Sequence, residues 1–272
     1  MVVIDDILNE KDALYIFGYG SLTWKPDFEY DHKIIGYIEG YERRFWQAST
    51  YHRGTVEKPG RCLTLTKVDK GICWGIIYEI RGPLKIAKAL DYLNVREQKL
   101  GGYEVFVVPV YPKEKEDVDK QIYSVVYVAT ADCTGFLGGG PISVLANDIA
   151  TAIGKIGHNI EYLFRCVDFM RESLPDVEEE HMYALDKAVR EIIGLPTDNI
   201  LPWKQLLLDS SFRRLVKPVD YKAKWKVAIS ETMNKTPSIN RWIELLKEIQ
   251  KMKEGGVSPL VNANLGESAF RY

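Results

Sequence analysis

A single glutamate occupies a position that suits proton transfer. Glu97 lies at the predicted end of a helix, just before Gly101-Gly102 and a new strand at Tyr103. A carboxylate at such a junction can turn inward beside Leu100 and Tyr103, where partial burial raises its pKa toward the range useful for acid–base chemistry. The position also suits an exposed glutamate paired with Arg96 or Lys99, and composition alone does not separate these interpretations.

A glycine-containing turn, Gly18-Tyr19-Gly20-Ser21-Leu22, follows a short apolar run. Two glycines two positions apart let the backbone approach a ligand closely and direct N–H groups at an anion. The segment is not a P-loop, because the G-x-x-x-x-G-K-[ST] pattern is absent, and Thr23 breaks the G-x-G-x-x-G pattern of dinucleotide sites. The turn predicts either a ligand-binding loop or an ordinary glycine-rich β-turn.

The polar segment 49–61 contains Arg53 and Arg61, which are natural partners for carboxylates. It is interpreted either as a lid over an anionic substrate or as a solvated loop. Nucleophilic catalysis fits poorly, because no G-x-S-x-G elbow is present and the four cysteines lie in predicted strands or a helix. The four histidines show no metal-ligand spacing, so no metal site is predicted.

Short β-branched and aromatic runs in the first half of the chain predict strands, and apolar residues at helical spacing predict helices among and after them. The predicted strands cover 14–17, 33–50, 61–68, 72–80, 103–111 and 122–130, with a hairpin turn at Asp69-Lys70-Gly71. The predicted helices cover 83–95, 158–174 and 177–193. This pattern predicts an α+β fold with a closed or nearly closed sheet and flanking helices.

The composition is that of an ordinary soluble globular protein. The chain has 272 residues, of which 46% are hydrophobic and 27% charged, and a formal net charge of −2. Such a small charge gives no expectation of nucleic-acid binding. The N-terminus lacks the apolar core of a secretory signal, and no stretch of 18 apolar residues predicts a membrane span. Four scattered cysteines without a C-x-x-C pair indicate reduced thiols and a cytoplasmic location.

The region after about residue 200 differs in charge, with 13 Lys and Arg against 7 Asp and Glu. Thr236 begins a predicted capped amphipathic helix that ends at Gly255-Gly256. Such a helix either docks on its own domain or binds a partner, a membrane surface or RNA. The partner of this extension is unknown from sequence.

Several segments, taken in order, resemble the ChaC-type glutathione-specific gamma-glutamylcyclotransferases. They are 15–25 (Tyr-Ile-Phe-Gly-Tyr-Gly-Ser-Leu-Thr-Trp-Lys), 43–47, 49–61, Trp74-Gly75, Arg96-Glu97 with Gly101-Gly102-Tyr103, and 157–163 (Gly-His-Asn-Ile-Glu-Tyr-Leu). The resemblance covers roughly residues 14–194. No single motif is conclusive, but the ordered set is specific.

The resemblance implies a small antiparallel or mixed β-barrel of the gamma-glutamyl cyclotransferase type, without a metal or organic cofactor. It implies conversion of glutathione to 5-oxoproline and Cys-Gly by attack of the α-amine on the γ-carbonyl, with Glu97 as the general acid/base. We place the catalytic domain at 14–196 and a basic, partly helical extension at 197–272. The predicted substrate-binding residues are Ile16, Phe17, Gly18, Tyr19, Gly20, Ser21, Leu22, Arg53 and Tyr103.

The sequence departs from the family pattern at two places. Gln98-Lys99-Leu100 lengthens the turn between Glu97 and the glycines, which makes Glu104 a second carboxylate to consider, and Leu137 to Pro141 contains an expanded glycine run. Two alternatives stay open at this stage. One is a cyclotransferase for other γ-glutamyl amino acids or amines, and the other is a non-catalytic adaptor that uses the barrel and the basic tail.

Overall fold

The structure, a computed structural model, describes residues 13–114, 122–198, 200–216 and 261–262. Five strands close into a mixed barrel in the order β2-β3-β1-β5-β4, with β4 returning to pair with β2. The pairing of β1 with β5 is parallel, and the other barrel pairings are antiparallel. The strands are β1 (Ala13–Gly18), β2 (His32–Ser49), β3 (Gly60–Arg81), β4 (Glu104–Pro112) and β5 (Ile122–Val128). The predicted α+β barrel is confirmed.

The long β2–β3 pair corrects one prediction. The hairpin expected at Asp69-Lys70-Gly71 is wrong, because β3 runs through these residues as one strand antiparallel to β2. The register shifts between Glu39 and Tyr41, so residues 68–71 of β3 lie opposite Gly40 alone and interrupt the pairing. Lys70 and Gly40 take the positive φ values of 60° and 79° that this irregularity requires.

Helices pack around the barrel. Those that follow the barrel strands are α1 (Pro83–Leu93), α2 (Ile142–Thr151), α3 (Asn159–Ser173) and α4 (Glu180–Ile193). A short hairpin of β6 (Ile153–Gly154) and β7 (Gly157–His158) leads into α3, where His158 Nδ1 accepts a hydrogen bond from the Ile160 N–H at 3.2 Å. The α4 helix ends at Gly194, whose φ of 72° is the usual left-handed helix stop. Sequence reasoning missed α2.

The chain after residue 196 continues into the core. Helices α5 (Trp203–Leu206) and α6 (Ser210–Val216) bury Trp203, Leu206 and Phe212 beside Phe164 of α3. A two-residue strand, β8 (Val261–Asn262), pairs with β4. The helix predicted from Thr236 lies outside the described residues, and the domain boundary at 196 stays a prediction. Within the described part of the chain, no helix is both long and apolar enough to cross a membrane.

Candidate active site

A pocket opens where the turn after β1 meets the segment that follows α1. Most of the wall comes from the turn, the end of β2 with its loop, the segment around Glu97, and α3, and strands β3 and β5 and the β6–β7 hairpin add single residues or short stretches. Eight of the ten predicted site residues line it, namely Phe17, Tyr19, Gly20, Ser21, Leu22, Arg53, Glu97 and Tyr103. Ile16 and Gly18 do not line it. Ile16 is fully buried in the barrel between Tyr78 and Val125, and Gly18 lies beneath the turn.

The turn from Gly18 to Leu22 is tight because glycine is required at two points. A Cβ on Gly18 would lie 2.5 Å from the Leu22 Cβ, and a Cβ on Gly20 would lie 2.7 Å from the Tyr162 hydroxyl. The Gly20 carbonyl accepts hydrogen bonds from the N–H and hydroxyl of Thr23 at 2.9 and 2.8 Å. The turn therefore packs closely against α3, and its residues Tyr19 to Leu22 form part of the pocket wall.

Glu97 lies in a single π-helical turn, Asn94–Lys99, that continues α1. The Leu100 N–H donates to the Val95 carbonyl, five residues back, at 3.1 Å. Gln98 and Lys99 lie within this wider turn, and Leu100 follows it directly. The Tyr103 N–H then donates to the Glu97 carbonyl at 2.9 Å, and Gly102 adopts a φ of 72° to bring the chain round into β4.

Arg96 joins the turn to the glutamate. Its guanidinium donates from Nη2 to Ser21 Oγ at 2.7 Å and from Nη1 to the Lys25 carbonyl at 2.6 Å. Its Nε lies 2.9 Å from Glu97 Oε1, although the N–H is not aligned for a hydrogen bond to that oxygen. Arg96 is 3% exposed, so one buried cation holds both predicted functional elements.

The Glu97 carboxylate is shielded from water, with its side chain 12% exposed. Burial raises the pKa of Glu97 above its ordinary value, and the charge of Arg96 opposes this rise. A carboxyl group with a raised pKa exchanges protons nearer neutral pH than an exposed one. The expected alternative, an exposed helix-end glutamate paired with Arg96, is therefore half right: the pair exists but is buried.

Cations surround the rest of the pocket. Lys25, Arg53 and Arg96 all line it, and the Arg53 guanidinium lies 5.8 Å from the ring centre of Trp24. Burial lowers the pKa of Lys25 to about 8, and burial together with these three cations lowers the pKa of His52 to about 3. His52 is thus neutral at physiological pH, while the arginines and much of Lys25 keep their charge. Such a wall favours an anionic ligand.

Tyrosines form the floor of the pocket. The Tyr103 hydroxyl donates to the Leu63 carbonyl at 2.8 Å, and the Tyr162 hydroxyl accepts from the Leu63 N–H at 3.2 Å. The Tyr19 hydroxyl donates to the Tyr127 carbonyl at 2.7 Å. Burial raises the pKa of each of Tyr19, Tyr103 and Tyr162, so these groups stay neutral and fix the shape of the pocket.

Two residues named in the sequence analysis lie outside the pocket lining, and one of the four cysteines lines the pocket without a reactive thiol. Arg61 pairs with Asp148 at 2.7 Å and is not part of the pocket lining. Glu104 begins β4 opposite Val128, also away from the lining. Cys62 does line the pocket, but burial raises the pKa of its thiol to about 12, which leaves it protonated and unreactive at neutral pH.

Sequence reasoning did not name several residues that complete the pocket as site residues. Trp24, Lys25, His52 and Tyr162 all lie within the segments that support the family resemblance, which was the available signal. Arg96 was part of the motif that supports the resemblance, but its only predicted contact was a surface pairing with Glu97. Among the residues that the structure describes, no three His, Cys, Asp or Glu side chains group together as a metal site would require.

Comparison with known proteins gives a consistent result. The ChaC-like protein family matches residues 14–192. The rat protein glutathione-specific gamma-glutamylcyclotransferase 1 is 45% identical over 184 residues, which cover 68% of this chain and 82% of the rat protein. The human protein of the same name is 43% identical over 194 residues, covering 71% of this chain and 86% of its own length.

A solved structure agrees with these relatives. The crystal structure of a yeast gamma-glutamyl cyclotransferase specific to glutathione is 28% identical, with a TM-score of 0.60. The alignment covers 66% of this chain and 99% of the yeast chain. From the matched family and the identities over most of each relative, we conclude that this chain belongs to the ChaC-like protein family.

Proposed function

We propose that this protein is a gamma-glutamylcyclotransferase that cleaves glutathione into 5-oxoproline and Cys-Gly. The observation that carries the proposal is the unit formed by Arg96, Ser21 and Glu97, in which one guanidinium contacts both the hydroxyl of the glycine turn and the shielded carboxylate. A proton carrier is thereby held beside a turn suited to anions. The names of the rat and human relatives support the choice of glutathione.

The proposed reaction is an internal aminolysis. The α-amine of the γ-glutamyl group attacks its own γ-carbonyl carbon, a five-membered lactam forms, and the bond to the cysteine nitrogen breaks. The substrate supplies the nucleophile, so the enzyme needs no reactive serine or cysteine, in agreement with the protonated thiol of Cys62. Holding the chain in the attack conformation is a large advantage, because oriented intramolecular reactions reach effective molarities of about 10⁵–10⁸ M.

Glu97 transfers the proton in this scheme. The α-amine arrives as an ammonium ion and must lose a proton to attack, while the leaving nitrogen must gain one. A carboxylate whose pKa is raised by burial can perform both steps. General acid–base catalysis of this kind is worth roughly 10²–10⁴-fold in rate.

The cations and the turn bind the rest of the substrate. Glutathione has two carboxylates, and the pocket offers Lys25, Arg53 and the backbone of the glycine turn as their partners. The N–H groups of Tyr19 to Leu22 either hold a carboxylate or stabilise the oxyanion that develops on the γ-carbonyl. The four free cysteines support a cytoplasmic location for this reaction.

The purified full chain, incubated with glutathione, tests the proposal directly. We expect equal amounts of 5-oxoproline and Cys-Gly, detected by liquid chromatography and mass spectrometry. N-acetylglutathione, whose α-amine cannot attack, should give no product. Release of free glutamate instead of 5-oxoproline would indicate hydrolysis and refute the cyclisation.

A panel of γ-glutamyl compounds separates the remaining alternatives. Faster turnover of γ-glutamyl amino acids or amines than of glutathione would replace the substrate assignment but keep the chemistry. No turnover of any member, together with loss of partner binding when 217–272 are removed, would favour the non-catalytic adaptor.

A further inference from the structure

We propose that Arg165 is a positioning residue for Arg53, and that Trp203, from the segment after the family-matched region, holds Arg165 in place. The inference rests on the proposed function, in which Arg53 binds a substrate carboxylate. It assigns a role in substrate binding to a part of the chain that lies beyond residue 192, where the family match ends.

The connection runs through one carboxylate. Arg53 Nη1 lies 2.9 Å from Glu161 Oε2, and Arg165 Nε lies 2.8 Å from the other oxygen, Oε1. Arg53 Nη1 also donates to the His158 carbonyl at 3.0 Å. The side chains of Arg53 and Glu161 are 3% and 5% exposed, so water screens this arrangement weakly.

The charges explain why two arginines are needed. Arg53 and Glu161 alone form a neutral pair, which would attract a substrate anion weakly. Arg165 adds a second positive charge to the same carboxylate and leaves the group of three with a net charge of +1. Without Arg165, Glu161 would interact with Arg53 alone and compete with the substrate for its guanidinium.

Two tryptophans hold Arg165 in this position. Its guanidinium carbon lies 4.9 Å from the ring centre of Trp24, in the pocket wall, and 5.9 Å from that of Trp203. Trp203 is 2% exposed, and its backbone N–H donates to Asp168 Oδ2 of α3 at 2.8 Å. An arginine within 6 Å of two aromatic ring centres gains cation–π attraction from both and loses part of its freedom to rotate.

Helix α3 provides a matched control. Arg171, six residues further along, has the same kinds of contact: Nη2 lies 2.9 Å from Asp186 Oδ2, and the guanidinium lies 5.0 Å from the Tyr183 ring centre. The two side chains have similar exposure, 27% and 32%. Within the part of the chain that the structure describes, Arg171 does not contact the pocket lining. We therefore expect its removal to affect stability alone.

The experiment compares glutathione kinetics of the full-length variants Arg165→Met and Arg171→Met. We expect Arg165→Met to raise KM roughly ten-fold with kcat unchanged, because a lost hydrogen bond to a charged group is worth about that factor and binding in the ground and transition states is affected equally. Arg165→Lys should recover most of the loss. Arg171→Met should keep the wild-type KM, with a fall in Tm like that of Arg165→Met.

The Trp203 part is tested within its own segment. Trp203→Leu should raise KM in the same direction as Arg165→Met, whereas Leu206→Ala, at a position equally buried in the same helix, should lower Tm alone. Arg53→Gln checks that Arg53 binds the substrate, and it should raise KM. If it does and Arg165→Met keeps the wild-type KM, the inference is wrong. An inactive wild type would instead refute the proposed function, so the two failures are distinguishable.

Discussion

Replacing Glu97 by glutamine separates its chemical role from its structural one. Glutamine keeps the size of the side chain but cannot accept the ammonium proton. Because Glu97 is only 12% exposed, solvent water cannot readily take over as the base, and we expect kcat to fall toward the upper end of the usual range, about 10³–10⁴-fold. This loss corresponds to roughly 4–5.5 kcal/mol of transition-state stabilisation.

The same substitution should stabilise the fold. Burial raises the pKa of Glu97 in the folded protein above its value in the unfolded chain, so ionisation disfavours folding. This penalty is absent below the unfolded pKa, grows as the pH rises through the folded pKa, and is complete above it. Glu97→Gln removes the penalty, so its Tm should exceed that of wild type at neutral pH, and the difference should shrink in acid.

The assay measures 5-oxoproline release and thermal unfolding on the same preparations. Glu104→Gln is the control, because this nearby carboxylate starts β4 and does not line the pocket; its activity should match that of wild type. Retention of near-wild-type turnover by Glu97→Gln would refute the assignment of the proton carrier. A lower Tm at neutral pH would show that the ion pair with Arg96 outweighs the cost of burial.

Three further predictions follow from other parts of the structure. Gly20→Ala should raise KM, because the new Cβ would lie 2.7 Å from the Tyr162 hydroxyl, and Tyr162→Phe in the same chain should restore part of the loss in steady-state kinetics. The KM for glutathione should rise as the pH passes about 8, where the partly buried Lys25 loses its charge, and a pH profile of Lys25→Gln should lack this rise. Asp186→Ala should lower the free energy of unfolding by about 3–5 kcal/mol in urea denaturation, since it leaves two arginines without their buried carboxylate, while KM and kcat stay unchanged.

Local sequence signals were sufficient to predict the barrel strands and the two segments that meet in the pocket, the glycine turn and the segment around Glu97. β-branched and aromatic runs located all five barrel strands, and glycines marked the turn after β1. The same signals failed at Asp69-Lys70-Gly71, because a two-residue hairpin turn and this interruption of the β2–β3 pairing both use positive φ, here at Lys70, and favour the same residues. The two cases differ only in pairing: β2 pairs with β3 on both sides of these residues, so the strand continues and does not turn back. The sequence of one strand does not show which strand it pairs with.

The contacts that define the pocket were beyond sequence reasoning for a similar reason. Arg96 was seen as a neighbour of Glu97, but its bond to Ser21 spans 75 residues of chain. The approach of Tyr162 to Gly20 likewise depends on how α3 packs against the barrel. Residues so far apart in the chain follow no fixed spacing, so no sequence pattern reveals that they are in contact. The sequence therefore predicted which residues carry the chemistry but not how they are arranged.

Two adjacent residues of the π-helical turn serve one site. Arg96 and Glu97 both lie in Asn94–Lys99, and both line the pocket. The long Arg96 side chain reaches Ser21 with its Nη2, while its Nε lies beside Glu97. Arg96 can therefore hold Ser21 and contact Glu97 at once. The glycine turn and the proton carrier are thus fixed relative to each other by one side chain, so a shift of either is transmitted to the other.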